Sequence, residues 1–552
     1  MMQRLLFILT IVLCSLNARA GDIYVSVDGN DANDGTMTRP VWSVHQGLRI
    51  ARKWRRQAMN GDAEAINHIS GGIQIHIGAG RYYMTEPLFL RPEDSGTKES
   101  PTTISGSGKG ETVFCGDARQ EHTVVFPTTG MERMIDFDTQ TRTIIIPKKA
   151  VAGLLKSEEY KAALSQPERA ERQLEMVVHQ RWAIAILRVK DIQVQGDRAI
   201  VSFMEPESRL EFDHPWPQPV IGGEKGNSSF LLRWTERREG IERLLVVEGR
   251  EQEPVKYVTI RTIRFENTCW NRPQRYGHVT LQGGFPLVDA YKIKEKEGLP
   301  WDNGLENQAW VERPVAAVSV NWAEHVTFFD CQFHHLGATA LDFGIGIQHC
   351  EAYRNLFTDI GGTAILAGSF AESPREVHRP YTDLARLCDG LSITSNNINT
   401  ATVEDWGAVG IGCGYVTNVD ISHNIVENVN YSGICVGWGW TAKDTGMSAN
   451  KICDNTVKDF ALQLYDAGGI YTLSNQPGSE ITRNIITALG KAPYATNDRG
   501  FYIYLDAKTD GYTIDGNECD EAKFGDNHPG PAIVWGKNGP DLPKIGSFDM
   551  TE

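Results

Sequence analysis

From about residue 255 onward, one pattern of hydrophobic and polar positions repeats along the chain. An apolar strand is followed by Asn or Cys, an apolar pair, a polar turn, Gly and a second apolar strand. Five asparagines mark equivalent points, at steps of 27, 31, 29 and 33 residues: Asn397, Asn424, Asn455, Asn484 and Asn517. Fixed periods of this size indicate stacked supersecondary units. Short strands with Gly-rich corners predict an all-β fold, a parallel β-helix in which inward Asn side chains form hydrogen-bonded ladders.

The start of the chain has a strand pattern and then a helix pattern. Three apolar residues come at every second position, the period of a half-buried strand: Ile23, Val25 and Val27. After a turn rich in Gly, Asn and Asp, four apolar residues recur at helical steps: Val44, Leu48, Ala51 and Trp54. Because a solenoid must cover its open end, we expect this helix to be a cap.

Residues 119–250 change character. The stretch "AVAGLLKSEEYKAALSQPERAERQLEM" is charged and helical in pattern, and "DIQVQGDRAIVSF" predicts a hairpin closed by Gly196 and Asp197. We predict an inserted α+β or β module here. The predicted organisation has four parts: a signal peptide at 1–20, an N-terminal cap with the first coils at 21–118, the inserted module at 119–250 and the main β-helix with the active site at 251–552.

The first twenty residues have the pattern of a secretory signal. Arg4 precedes an apolar run too short to span a bilayer comfortably, and the run from Ala18 to Ala20 fits a small-x-small cleavage site. We predict cleavage after Ala20 and a secreted or periplasmic protein. Cys14 raises the alternative of a lipoprotein, but the residues before it are bulkier than lipoprotein processing prefers. No later segment has a transmembrane pattern.

Charge and cysteine content narrow the function classes. The formal net charge of −15 argues against nucleic acid as the main partner, because phosphate binding needs clustered Lys and Arg. The cysteines after Cys14 are scattered without a CxxC pair, which predicts neither a disulfide framework nor a zinc site. No cofactor is predicted; the acidic stretch "SVDGNDANDG" indicates a turn, with a structural calcium loop as the alternative. The pattern leaves the oligomeric state open.

Carboxylates recur near the last strand of several coils. Four aspartates stand out: Asp342, Asp405, Asp466 and Asp506. Asp405 and Asp466 each stand two residues before a Gly, so a turn in which the carboxylate bonds its own backbone is the alternative for both. Asp506 ends the aromatic-rich strand "FYIYL", where a turn residue and a substrate contact both fit.

Aromatic residues beside glycines predict a sugar-binding surface. Trp438 and Trp440 are two positions apart, so on a strand they share a face, and glycines lie beside them. A large ring flanked by glycines suits stacking on the apolar face of a sugar, with core packing as the alternative. Four further residues are predicted substrate contacts: Tyr471, Gln476, His335 and Glu404.

Carboxylate pairs and aromatic rings on a secreted solenoid together suggest glycoside hydrolysis. That reaction commonly uses one carboxyl as acid and a second as nucleophile or base. The alternatives are a polysaccharide lyase on the same fold and a non-catalytic glycan-binding β-helix, since fold alone does not imply catalysis.

The chain also resembles the right-handed parallel β-helix enzymes of glycoside hydrolase family 141. The resemblance runs over nearly all of the chain after the signal, from "IYVSVDGNDANDGT" through "EMVVHQRWAIAILRVKDI" and "PESRLEFDHPWP" to "DAGGIYTLSNQPG" and "RGFYIYLD". It implies a secreted enzyme of plant polysaccharide breakdown, with α-L-fucosidase or xylanase activity. It also implies that the catalytic pair is Asp466 and Asp506.

A simple strand register conflicts with that pairing. When Gly468 is aligned with Gly500, Asp466 and Asp506 lie eight extended residues apart, roughly 26 Å. Asp405 therefore remains the reserve partner for Asp466, and Asp342 the reserve for Asp506.

Overall fold

The computed structural model of the chain describes residues 20–108, 110–116, 125–127, 132–165, 172–213, 228–236, 240–289, 310–370, 383–493, 495 and 498–542. The predicted signal segment up to Arg19 lies outside the described residues. Within the described ranges, no helix is both long and apolar enough to cross a membrane.

Three parallel sheets run the length of the molecule, and each coil of the chain gives one strand to each sheet in turn. The first sheet contains, in stacking order, Gly21–Val25, Ile73–Ile77, Thr102–Gly106, Val255–Arg261, Ala323–Phe329, Glu351–Tyr353, Ser392–Thr394, Asp420–Ser422, Lys451–Cys453, Asn475–Thr482, Asp510–Asp515 and Val534–Trp535, with Ile347–Gln348, Cys388–Asp389 and Val416–Thr417 at its side.

The second and third sheets have the same stacking order. The second contains Gly80–Tyr83, Thr112–Cys115, Arg264–Thr268, Gln332–Leu336, Leu356–Ile360, Asn397–Ala401, Ile425–Glu427, Thr456–Phe460, Ile485–Leu489 and Glu518–Cys519. The third contains Leu88–Leu90, Leu245–Glu248, Ala316–Asn321, Thr339–Phe343, Ile365–Ala367, Ile411–Cys413, Ile434–Val436, Ala467–Thr472, Gly500–Leu505 and Phe524–Asp526. The predicted right-handed parallel β-helix is confirmed.

Inward side chains stack on the same position of the next coil, which is why the sequence repeats. Phe265, Phe333 and Phe357 share one register in the second sheet and are fully buried. Their ring centroids are 5.2 Å and 4.6 Å apart, close to the spacing between neighbouring strands, roughly 4.8 Å. Each coil therefore buries its apolar face against its neighbours rather than against a separate layer.

An asparagine ladder runs beside this apolar stack and confirms the predicted Asn periodicity. In each step, one Asn side chain donates from Nδ2 to the Oδ1 of the next, for example Asn424 to Asn455 at 2.9 Å. One predicted member is wrong: the ladder uses Asn396, not Asn397, which stands one residue later on a strand. The ladder members are Asn355, Asn396, Asn424, Asn455, Asn484, Asn517 and Asn538.

The predicted N-terminal helix covers the first coil. It spans Val44–Met59 and buries Val44, Leu48 and Ala51 against the first strands. The acidic turn before it is a structural turn: Asp31 accepts hydrogen bonds from the backbone of Trp42 and from the amide and hydroxyl of Ser43, the residue that caps the helix.

A separate antiparallel sheet lies beside the third sheet. It contains Val125–Pro127, Ser229–Glu236, Arg172–His179, Ile184–Gln195, Arg198–Phe203, Thr143–Pro147 and Asp136–Asp138, with Glu132–Arg133 and His278–Val279 attached. The turn after Gln195 closes the predicted hairpin, with φ of 63° at Gly196. The predicted domain boundaries stay a prediction.

Short helices complete the described structure. The α-helices after the cap are Ala63–His68, Glu158–Ser165, Glu207–Asp213 and Arg272–Tyr276. The 3-10 helices are Pro92–Asp94, Lys148–Val151, Leu154–Lys156 and Leu384–Arg386.

One apolar cluster joins the antiparallel sheet to the outer face of the third sheet. It contains Phe230 and Phe285 from the antiparallel side, and Trp438, Tyr471 and Tyr504 from the coils. The third sheet is thus buried on both faces, which places polar groups at its edge in a sheltered position.

Candidate active site

A cavity of about 210 Å³ lies at the edge of the third sheet, under the antiparallel sheet. We call it the carboxylate cavity, because the two aspartates of the proposed pair both line it. Its lining residues are Arg181, Trp182, Gln282, Tyr431, Trp440, Asp466, Tyr471, Arg499, Tyr504, Asp506, Ala507 and Asn527.

Asp466 stands directly before the strand Ala467–Thr472, in a left-handed turn with φ of 61°. Its side chain does not bond the following backbone, so the turn alternative does not describe it. Oδ1 accepts a hydrogen bond from the Tyr504 hydroxyl at 3.1 Å, and the Arg499 guanidinium lies 3.3 Å from Oδ2. Its own carbonyl accepts from the Tyr431 hydroxyl at 3.1 Å. The backbone turn and these contacts together aim a nearly buried carboxyl into the cavity.

Asp506 directly follows the strand Gly500–Leu505 and has a different set of neighbours. One oxygen accepts a hydrogen bond from the Tyr471 hydroxyl, and the other accepts from the Asn527 amide at 2.6 Å. The Gln282 amide donates to the same Tyr471 hydroxyl at 2.9 Å. Both carboxylate oxygens therefore have neutral donors, and the self-bonding turn is not what fixes this side chain.

Electrostatics distinguish the two carboxyls. Burial raises the pKa of Asp466 above its ordinary value, and the negative charge of Asp506 raises it further, against the opposing effect of Arg499. Burial and the charge of Asp506 also raise the pKa of Tyr471 and of Tyr504, so both phenols keep their protons and act as donors.

The register estimate that separated the pair by roughly 26 Å is wrong. The structure pairs Ala467 with Gly500, and Gly468 with Phe501, so the assumed register was one residue off, although the two aspartates still stand at opposite ends of neighbouring strands. However, the two side chains are close enough to interact, since the negative charge of Asp506 raises the pKa of Asp466. The estimate assumed a straight strand, whereas both side chains line one small cavity.

Three lining residues come from outside the β-helix coils and were missed by the sequence reasoning. Arg181 and Trp182 form the tip of the hairpin between Arg172–His179 and Ile184–Gln195, and the Trp182 indole donates to the Leu281 carbonyl at 2.9 Å. Gln282 lies in a tight turn beside them. The "HQRWA" stretch was the available signal, because it lies within one block of the family resemblance.

Arg499, Tyr431 and Asn527 were also missed. Arg499 and Asn527 stand in irregular segments next to strands, where no periodic pattern marks them. Only the coil stacking brings them beside the two aspartates.

Some of the aromatic residues that we predicted as substrate contacts line the cavity, and one does not. Trp440 and Tyr471 line the carboxylate cavity. Trp438 does not: it is buried among Phe285, Phe370 and Trp440, with ring centroids 4.8–5.3 Å away, so the core-packing alternative describes it.

Gln476 and Glu404 also have structural partners instead of the predicted substrate contacts. Gln476 is fully buried and bonds the Val436 and Leu473 carbonyls and the Asn450 amide. Glu404 lies 3.3 Å from the Arg233 guanidinium. Neither residue lines the carboxylate cavity.

His335 is a further correction, because its strand, Gln332–Leu336, belongs to the second sheet. Its ring bonds the Asp359 carboxylate and lines neither the carboxylate cavity nor the cavity around Asp405.

The two reserve carboxylates are paired elsewhere. Asp342 receives two hydrogen bonds from the Arg313 guanidinium, at 2.7 Å and 2.5 Å. Asp405 accepts from the Gly407 amide, as the turn alternative requires, and lies 2.9 Å from Nε2 of His278. Both lie outside the carboxylate cavity, because their coils are two or more strands away from Ala467–Thr472 in the third sheet.

Among the described residues, no three His, Cys, Asp or Glu side chains cluster as a metal site would require. The cavity instead offers two carboxyls, proton-holding phenols, an aromatic wall and two guanidinium groups, of which Arg499 lies against Asp466. That set can protonate a leaving group on one side and provide a negative charge on the other.

Comparison with known proteins identifies the family of the chain. The sequence profile of the GH141 insertion domain matches residues 118–237. A solved structure described as a glycoside hydrolase is 32% identical, with a TM-score of 0.84, and the match covers 95% of this chain and 97% of that one. No curated protein sequence matches the chain.

Two more distant structures share 12% identity each. One is described as the complex of XylC with xylose, with a TM-score of 0.43 over 92% of this chain and 69% of its own. The other is a GH136 lacto-N-biosidase from Eubacterium ramulus, with a TM-score of 0.42 over 95% of this chain and 68% of its own. At this identity they carry no information about function.

Proposed function

Because this chain belongs to the glycoside hydrolases, with the insertion domain of family 141, we propose that it is a secreted enzyme that hydrolyses plant cell-wall glycans through Asp466 and Asp506. The observation that supports this most directly is that the two carboxyls line one cavity with unlike surroundings. Glycoside hydrolysis needs such a pair, one carboxyl that gives a proton and one that is negatively charged.

Asp466 is the proposed general acid. A general acid must hold its proton at the working pH, and burial together with the Asp506 charge raises the pKa of Asp466. The nearby Arg499 limits that rise, so the carboxyl can still release the proton to a leaving oxygen. The Tyr504 hydroxyl then stabilises the carboxylate that remains.

Asp506 is the proposed nucleophile or base. Tyr471 and Asn527 each donate to one of its oxygens, and donors of this kind match the ionised form of a carboxyl. The Gln282 amide fixes the phenol of Tyr471 in turn, so the orientation of Asp506 depends on a residue outside the coils.

The size of the cavity supports a small glycosyl unit as the group that reacts. About 210 Å³ fits a single sugar ring better than the middle of a chain, and Trp440 offers an aromatic wall. We propose an α-L-fucoside as the leading substrate, as the family resemblance implies, with a β-xyloside as the runner-up. Rates on nitrophenyl α-L-fucoside and nitrophenyl β-xyloside decide between them.

Lyase chemistry is disfavoured by the same contacts. β-Elimination needs a basic side chain that can take a proton, but the Tyr471 and Tyr504 hydroxyls both donate to carboxylates and have raised pKa values. An unsaturated product absorbing in the near ultraviolet would reverse this assignment.

The decisive test replaces each carboxyl by its amide. Asp466→Asn and Asp506→Asn should each lower kcat/KM about a thousandfold while thermal unfolding stays near that of the unaltered protein. Asp498→Asn is the matched control, because Asp498 is exposed and pairs with Lys523 rather than lining the cavity. Turnover close to normal in either cavity variant would disprove the assigned roles.

A further inference from the structure

A second cavity, of about 250 Å³, lies along the same edge of the third sheet. Its floor comes from the turns that precede three successive strands, Thr339–Phe343, Ile365–Ala367 and Ile411–Cys413. The carboxylate cavity begins at Tyr431, in the turn before the next strand, Ile434–Val436. The two cavities therefore follow one another along the stack, at a spacing of roughly 4.8 Å per coil.

Three buried polar atoms in the lining of this second cavity lack a hydrogen-bond partner among the described residues. They are Oδ1 of Asn271, Nδ1 of His278 and Oγ1 of Thr339. The three side chains are at most 6% exposed. A buried polar atom without a partner costs about 1–3 kcal/mol, so three of them among the residues of one lining point to bound polar groups, from water or a ligand, that supply the missing partners.

The hydrogen-bonding chemistry of these three atoms favours a ligand that carries hydroxyl groups. Nε2 of His278 lies 2.9 Å from the Asp405 carboxylate, which can only accept, so in the neutral ring Nδ1 is an acceptor. The Asn271 atom is a carbonyl-type oxygen and also accepts. Thr339 can donate or accept. Two acceptors and one hydroxyl suit a ligand that both donates and accepts, as sugar hydroxyls do.

The charged residues of the lining favour a neutral ligand over an anion. Arg272 is paired with Glu312 at 2.7 Å, and Arg313 is paired with Asp342. The carboxylate of Asp405 faces the cavity from the floor. The lining also carries Arg243, Arg275 and Glu242, so charges of both signs border the cavity, and this mixture favours a neutral ligand over a sugar acid.

Aromatic residues add a sugar-binding wall. Trp270 lines the cavity edge-on to His278, with ring centroids 4.7 Å apart, and Tyr276 stands at the mouth with 53% of its surface exposed. Aromatic rings beside hydrogen-bonding groups are the usual way in which proteins hold a sugar, since its faces are apolar and its edge is polar.

We propose that the second cavity binds a neutral glycosyl unit of the glycan, at a site separate from the carboxylate cavity. The choice of a sugar as the ligand rests on the proposed function, while the existence of a polar, hydroxyl-seeking site rests on the three unpartnered atoms. The turn Leu281–Phe285 connects the sites: Gln282 reaches the Tyr471 hydroxyl, and Gly284 lines the second cavity against Asp405.

The test uses two matched variants that fill one cavity each. Ala338→Leu fills the second cavity and Ala507→Leu fills the carboxylate cavity, since each alanine lines only that one. Calorimetric titration of the full chain uses L-fucose, D-xylose and D-galactose as neutral probes and D-galacturonate as the anionic probe. In the Ala507→Leu protein, at least one neutral probe should bind with one site per chain, and adding Ala338→Leu should abolish that binding.

A milder variant separates binding from misfolding. Thr339→Val keeps the shape of the side chain and removes only the unpartnered hydroxyl, so the protein without ligand should be at least as stable as before, while sugar affinity in the Ala507→Leu background falls about fivefold. Absence of neutral-sugar binding in that background, equal binding after Ala338→Leu, or preference for D-galacturonate would each overturn the proposal. Because no turnover is measured, failure of the proposed hydrolysis would not alter this result.

Discussion

The Asp466 carboxyl is balanced between groups that favour its proton and groups that favour its charge. Burial and Asp506 raise its pKa, whereas Arg499 and the Tyr504 hydroxyl act in the opposite direction. Asp506 has no cation among its hydrogen-bond partners in the described structure and is held by neutral donors. Two identical side chains therefore have different environments, and the different roles that we propose for them rest on this difference.

Tyr504→Phe tests this balance. Loss of the hydroxyl removes a hydrogen bond that favours the charged carboxylate, so the pKa of Asp466 rises further. A general acid works in its protonated form and activity is lost as pH rises through its pKa, so the alkaline limb of the kcat/KM profile should move to higher pH. We also expect kcat/KM at the optimum to fall about fivefold.

Tyr502→Phe is the control on the same strand, because the Tyr502 ring packs edge-on against Phe460, away from the cavity. A shift of the alkaline limb to lower pH in Tyr504→Phe would contradict the assignment of Asp466 as the acid.

The asparagine ladder is the clearest example of how an element is stabilised in this fold. Asn396 donates from Nδ2 to the Ala352 carbonyl and to Asn424, and its Oδ1 accepts from the backbone and side chain of Asn355. Where a turn is buried between coils, its backbone N–H and C=O groups have no partners in a neighbouring strand. The side-chain amide of Asn supplies both a donor and an acceptor to such groups at each step of the ladder.

Asn396→Ala should therefore destabilise the protein by about 3 kcal/mol, because it leaves several buried hydrogen-bonding groups without partners at once. Asn397→Ala is the neighbouring control: Asn397 is partly exposed and stands outside the ladder. The midpoint temperature of thermal unfolding measures the effect of each variant on stability. Equal shifts in the midpoint for the two variants would show that the ladder does not contribute to stability beyond an ordinary Asn side chain.

At the scale of the whole molecule, the shape of the carboxylate cavity depends on how the antiparallel sheet docks on the coils. Arg233 of that sheet is bonded to Glu175 at 3.1 Å and reaches Glu404, in the turn before a coil strand, at 3.3 Å. Nearby, the His179 and Trp406 rings stack with centroids 4.8 Å apart. These contacts lie just before the hairpin tip that carries Arg181 into the carboxylate cavity.

Arg233→Met should cost about 3–5 kcal/mol, because the fully buried Glu175 would lose its cationic partner. Thermal unfolding and activity should fall together, since the docked sheet carries part of the cavity wall. Glu404→Gln is the comparison: it leaves the Arg233–Glu175 pair intact, so we expect a cost under about 1 kcal/mol. An Arg233→Met protein as stable as the unaltered one would show that the docking does not depend on this network.

The repeat, the capping helix and the hairpin at Gly196 could be predicted from the sequence, because each depends on local periodicity or turn chemistry. Asn396 was confused with Asn397 because adjacent asparagines have the same local pattern, and only stacking selects one of them.

The site divides in the same way. Aspartates near the ends of aromatic strands were visible in the sequence, and so was Trp440. The sequence did not show which of these side chains reach the cavity. Tyr471 lines it, whereas Gln476, Glu404 and His335 bond other residues that the folded coils bring to them.

The sequence by itself determined that the chain stacks coils, since apolar and Asn positions must recur wherever identical coils meet. Only the tertiary structure decided which carboxyls share a cavity. The convergence of the two side chains on one cavity and the docking of the hairpin tip are not periodic. Contacts between residues far apart in the chain set both, so Asp466 and Asp506 meet through folding and not through spacing.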